Sequence, residues 1–126
     1  MITARIADVP YETELTNGTH AILSDTSRDG VGGQAGLRPH ELLEAALASC
    51  MAMTIRMVAD EHSLDLGEVI VSVNVVREDE ESIYDYLVEL PDGLSSAERQ
   101  LLLGAAAICP VSRTLRKRVS LRLADA

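Results

Sequence analysis

The 126-residue chain is long enough for one domain, and 11 basic against 20 acidic side chains leave it with a net charge of −9. A surface this acidic repels phosphate backbones and anionic bilayers, which argues against nucleic acid or a membrane as partner. Hydrophobic residues make up 47% of the sequence, which excludes disorder, but with no Phe, no Trp and three Tyr the core must come from Leu, Val, Ile, Ala and Met. A core without large rings needs close helix packing through Ala, or burial against a second subunit.

Residues 2–7 alternate weakly and are expected to form a short strand. Residues 11–16 and 19–24 flank Asn17-Gly18, a pair that favours positive φ at both turn positions and so predicts a tight β-hairpin. Residues 25–37 carry four glycines and read as a connecting loop. A phosphate cradle is disfavoured there, because no βαβ strand precedes the glycines and no Lys-Ser or Lys-Thr follows. A long helix is expected from Pro39, a favoured first helical residue, to about residue 62. Its middle, 45–58, is apolar on almost every side, which predicts burial all round and a partner subunit covering one side.

Val69, Val71, Val73 and Val75 recur at period two and predict a strand over 68–77. A polar turn over 77–82 leads to a second strand, 83–90, antiparallel to the first. Ser95, Ser96 and Glu98 resemble a helix start, so a second helix is expected over 96–108. Cys109-Pro110 interrupts it, a short helical segment follows over 111–117, and a strand over 118–123 closes the chain. The order is β-β-β-α-β-β-α-α-β in a single domain, 1–126, of the α+β class. The longest apolar run, 45–55, is too short to cross a bilayer, and no signal segment is recognised at the N-terminus, so a soluble, cytoplasmic protein is expected.

Two cysteines are too few for a disulfide scaffold, and Cys50 and Cys109 are too far apart in sequence for a zinc-type pair. Cys50 falls inside the long helix among Ala46, Leu47, Met53, Thr54 and Met57, where a buried structural thiol is the plain reading. Cys109 precedes Pro110 at the start of a short helix, where free N–H groups favour a thiolate, with Arg113 one turn on. By local physics Cys109 is the more easily ionised thiol, although a helix cap and kink explains it equally well. His40 and Glu41 sit in the first turn of the long helix. Glu41 is nine residues before Cys50, about 14 Å of helical rise away and on the opposite face, so neither reaches Cys50 within one helix. His20 and His62 lack metal-ligand spacing, and no metal is assigned.

The stretch Gly32-Gly33-Gln34-Ala35-Gly36-Leu37-Arg38-Pro39-His40-Glu41-Leu42-Leu43, followed by Ala45-Ala46-Leu47-Ala48-Ser49-Cys50, resembles the helix motif of the OsmC/Ohr family. These are the osmotically inducible protein C and organic hydroperoxide resistance proteins. Cys109-Pro110-Val111-Ser112-Arg113-Thr114-Leu115 resembles the family's second-cysteine motif, and the hairpin with His20 and Asp25 behind it also matches. The resemblance implies an OsmC-like fold, with antiparallel sheets wrapped around long central helices in an intertwined homodimer. It implies thiol-dependent reduction of organic hydroperoxides, with Cys50 as the peroxidatic and Cys109 as the resolving cysteine. A dithiol reductant would reset the pair, and no metal or organic cofactor is required.

Two positions depart from the family pattern. The Glu that stands ten residues before the peroxidatic cysteine is here His40, with the acid at Glu41, and no early hairpin Arg matches clearly. Among Arg5, Arg28 and Arg38, Arg38 is the preferred substitute, because it adjoins the helix start. Arg38, His40 and Glu41 are therefore the candidates for activating Cys50. The alternative reading is an OsmC-like member without efficient peroxidase activity that binds a small apolar ligand or acts as an interaction module.

Overall fold

The computed structural model describes residues 1–125 and has the order β-β-β-β-β-α-β-β-α-α. Contacts divide the chain into two units, Met1–Leu43 and the part from Glu44 onward. The first unit holds an antiparallel meander of β1 (Thr3–Ile6), β2 (Thr13–Thr16) and β3 (Ala21–Ser24). The Asn17-Gly18 hairpin forms between β2 and β3, with Thr16 paired to Ala21, but its connection is longer than a two-residue turn. Of the two turn residues only Gly18 has positive φ (95°). The Asn17 carboxamide oxygen instead accepts from the N–H groups of Thr19 and His20 at 2.9 and 2.8 Å, closing the loop by a side chain.

The glycine-rich stretch is more ordered than a plain connector. It contains a two-residue hairpin, β4 (Ser27–Arg28) with β5 (Val31–Gly32). Asp25, only 4% exposed, anchors it, its carboxylate accepting from the N–H groups of Thr26 at 2.8 Å and Ala35 at 3.0 Å. Ser24 Oγ donates to the Leu37 carbonyl at 2.7 Å, so both ends of the stretch are tied.

The long helix is α1 (Pro39–Glu61). Proline opens it as expected. The Arg38 carbonyl takes the first helical bond, from Leu42, and the Arg38 N–H donates to the Glu41 carboxylate at 2.9 Å. Burial all round is not observed. Within the chain only the stripe Leu47, Met51, Ile55 and Ala59 is buried, while Met53 and Met57 are each 60% exposed. By length and apolarity alone α1 could cross a bilayer. Its buried stripe instead packs with Leu66, Leu102 and Ala106 in the core of the second unit.

That unit continues with the antiparallel pair β6 (Ile70–Arg77) and β7 (Ser82–Glu89). Val71, Val73, Tyr84 and Val88 face the core, as period two requires. The N–H of Val75 donates to the Glu44 carboxylate of α1 at 2.8 Å, which fastens β6 to the helix. Helix α2 (Ser96–Ala107) starts with a complete capping box: Ser95 Oγ accepts from the Glu98 N–H, and the Glu98 carboxylate accepts from the Ser95 N–H. Ser95→Ala should cost about 1 kcal/mol, read as a fall of about 4 °C in Tm. Helix α3 (Pro110–Arg116) follows directly.

Among the described residues no strand forms over 118–123. The segment alternates as a strand should, but β-structure needs a neighbour and none of the chain's own strands pairs with it. Val119, Leu121 and Leu123 are accordingly 69%, 94% and 102% exposed.

Candidate redox site

Both candidate cysteines lie in the second unit. Cys50 is half-buried in the interior of α1, and Cys109 is 0% exposed at the N-cap of α3. The Cys-Pro sequence explains the placement. Ile108 ends α2, Cys109 is extended (φ −60°, ψ 158°), and Pro110 restarts the helix with the φ it already prefers. The chain changes direction at Cys109 and brings the first turn of α3 onto α1. The Val111 N–H then donates to Cys50 Sγ at 3.5 Å. Cys50 packs against the core cluster that holds Cys109, and both thiols are free.

Ser112 secures the junction. It is buried, and its hydroxyl donates to the Ala107 carbonyl at 2.8 Å, tying α3 back to the end of α2. Arg116 reaches the same carbonyl at 3.3 Å. A small cleft of about 190 Å³ adjoins the junction through Met51 and Ser112 and is also lined by Tyr84, Tyr86 and Arg116. Neither sulfur lines that cleft.

The expectation that Cys109 is the readily ionised thiol is overturned. Burial pushes its pKa above the ordinary thiol value, and the Cys50 sulfur beside it acts the same way; the N–H groups of Ser112 and Val111 oppose the shift but are outweighed. Loss of hydration is the larger effect because the side chain is sealed from solvent. The sign of the linkage follows. A raised folded pKa favours the neutral thiol of the native state, so this contribution to stability is complete below the unfolded thiol pKa of about 8.5. It is lost as pH rises from there through the folded value. Under reducing conditions the urea midpoint should therefore fall above pH 8.5, and the fall should be smaller in Cys109→Ser.

The candidates for activation lie in the first unit, at the start of α1. Glu41 is engaged by the start of its own helix, and Arg38 and His40 are exposed there. Because α1 is continuous from Pro39 to Glu61, Glu41 and Cys50 remain about 14 Å apart along it. Arg5 pairs with Glu14 at 3.1 Å, and Arg28 lies 3.9 Å from Asp29. Among the described residues no three His, Cys, Asp or Glu side chains gather as a metal site. What the sequence reading missed is the donor at Val111. Its signal was Pro110, which has no N–H and leaves Val111 as the first amide of α3 free to donate outward.

The sequence profile described as OsmC-like protein matches residues 32–124, a span that contains both cysteines and all three helices. The chain belongs to the OsmC-like family. An organic hydroperoxide resistance protein-like relative from Mycoplasma pneumoniae is 31% identical over 94 residues, covering 71% of this chain and 67% of the relative. Among solved structures, the OsmC-like protein of Mycoplasma pneumoniae superposes with a TM-score of 0.70 at 17% identity, over 92% of this chain and 86% of that one. The organic hydroperoxide resistance protein OhrB of Bacillus subtilis gives 0.64 at 22% identity, over 92% and 89%. These likenesses establish an OsmC-like α+β fold for the chain.

Proposed function

We propose that this OsmC-like chain is a thiol peroxidase that reduces organic hydroperoxides, with Cys50 as the attacking and Cys109 as the resolving cysteine. The observation that carries the reading is the packing of Cys50 against the cluster that holds Cys109, where the first turn of α3 meets α1. The relatives named for hydroperoxide resistance point to the same substrate class. Exposure supports these roles: Cys50 is half-buried and open enough to meet a peroxide, and Cys109 is fully buried.

In the first step the Cys50 thiolate attacks the outer oxygen of R–O–O–H. The O–O bond breaks, Cys50 becomes a sulfenic acid, and the alkoxide leaves and takes a proton to give R–OH. The Cys109 thiol then loses its proton and attacks the Cys50 sulfur. Hydroxide leaves as water and a disulfide forms. A dithiol reductant breaks that disulfide by two exchanges, is itself oxidised to a disulfide, and returns both thiols. The test is consumption of cumene hydroperoxide in the presence of excess dithiothreitol or dihydrolipoamide. Turnover with one dithiol oxidised per hydroperoxide consumed supports the reading, and no consumption above the protein-free rate refutes it. The second reading, an inefficient member that binds a small ligand, draws on the absence of any charged side chain within one turn of Cys50; it predicts that flat result.

The working form is proposed to be an intertwined homodimer in the cytoplasm. Support comes from apolar surface that a lone chain leaves in water: Met53 and Met57 on α1, and the strand-like alternation of Val119, Leu121 and Leu123. A second copy supplies both a helix for α1 and a strand for 118–123. Light scattering should give twice the chain mass of 13.6 kDa, and deletion of residues 118–126 should shift the protein toward monomer. A folded monomer at micromolar concentration would contradict the dimer.

A further inference from the structure

Cys50 poses a problem that its own helix does not solve. In the middle of α1 the neighbouring main-chain N–H groups are used by the helix ladder, and Ala46, Leu47, Met53 and Thr54 around it carry no charge. Its thiolate must be held by another element. The hydrogen bond that Cys50 receives comes from the Val111 N–H at 3.5 Å. Pro110 at the first position of α3 has no N–H to offer, and Val111 at the second has no intrahelical acceptor. The turn that aims this amide is fixed at both sides. Ser112 Oγ is held on the Ala107 carbonyl at 2.8 Å, and the Arg113 N–H is held on the Cys109 carbonyl at 3.0 Å.

We propose that the main-chain N–H of Val111 is a positioning group for Cys50: it stabilises the attacking thiolate and keeps its sulfur beside Cys109. This rests on the reading of Cys50 as the attacking thiol. One short segment then contributes both the resolving sulfur and the donor that readies its partner. A hydrogen bond to an ionised acceptor is stronger than one to a neutral acceptor, so the bond favours the thiolate over the thiol.

The experiment uses the full chain with Cys109→Ser, which makes Cys50 the sole thiol and removes the titratable group packed against it. Val111 is replaced by its α-hydroxy analogue, which puts an ester oxygen where the N–H was. The pKa of Cys50 is read from the pH dependence of its alkylation by iodoacetamide. It should rise by about one unit, the size expected for one hydrogen bond to a charged group. The same ester at Arg113, which loses only the bond to the residue 109 carbonyl, should leave the Cys50 pKa in place. An unchanged pKa in the Val111 ester, or an equal rise in the Arg113 ester, overturns the proposal.

A second measurement needs no backbone change. In the Cys109→Ser chain the Val111 amide proton resonance should move through the same midpoint at which Cys50 ionises; a flat resonance also overturns the proposal. Neither readout uses peroxide. A wild-type protein inert to hydroperoxide would remove the proposed function and leave the donor standing. A peroxide-active protein with a flat titration would remove only the donor.

Discussion

Cys50→Ser is expected to lower hydroperoxide turnover at least about a thousandfold, to the level of the buffer, while the protein stays folded. A serine hydroxyl fits the same space in α1 but does not ionise near neutral pH, so the O–O bond meets no nucleophile. Cys109→Ser should behave differently. Its Cys50 should still consume one equivalent of hydroperoxide, and the sulfenic acid should persist and react with dimedone, because no second sulfur closes the disulfide. Stopped-flow oxidation with dimedone trapping and intact mass spectrometry separates the two variants. The expected asymmetry follows from burial: Cys109 has no exposed surface, so under the proposed scheme it would react only once Cys50 presents an oxidised sulfur. Oxidation retained in Cys50→Ser and lost in Cys109→Ser would reverse the roles.

Gly36→Ala should be severely destabilising, by about 4 kcal/mol or more, the range reached by steric lesions that the surroundings cannot absorb. A Cβ at residue 36 would overlap the Leu23 carbonyl and crowd the Ser24 amide, and both are backbone atoms held in place by the β2–β3 pairing. The neighbouring Ser24–Leu37 hydrogen bond at 2.7 Å and the buried Asp25 leave the chain no room to swing away. The measurement is the urea midpoint of the variant beside Gly30→Ala. Gly30 has open space around its α-carbon and a positive φ of 79°, so that control carries a conformational cost without a collision. Equal midpoints for the two variants would show that the Leu23 carbonyl moves aside.

Gly36 also marks where sequence reasoning ran short. Composition identified residues 25–37 as a connection, and the structure adds the short β4–β5 hairpin within it. A pattern of glycines does not say which of them touches backbone, because that depends on where β3 passes, a tertiary fact. The regular elements were legible because their signals are local. Pro39, the capping box at Ser95 and the valines of β6 each act over a few residues, and each element starts within a few residues of expectation. The segment over 118–123 failed for the opposite reason: its alternation is a local signal, but a strand needs a neighbour, and within the described chain it has none.

The candidate site divides in the same way. Both cysteines stood out by residue type and by the motifs around them. The raised Cys109 pKa did not, because the helix start at Cys109 is visible in sequence and the burial that outweighs it is not. Arg38 is a candidate because it adjoins the helix start, and His40 and Glu41 because they stand at and beside the position of the family's Glu. The structure keeps the Glu41 carboxylate on the Arg38 N–H, a capping role the same residues fulfil without any redox chemistry.

The most direct test of a Cys50–Cys109 redox pair is peptide mapping of the reduced chain after one equivalent of cumene hydroperoxide. The account predicts the loss of two thiols and two hydrogens per chain, with the Cys50 and Cys109 peptides joined by a disulfide. Two free thiols after treatment with excess peroxide, or a disulfide that joins Cys50 to the Cys50 of another copy, would contradict it.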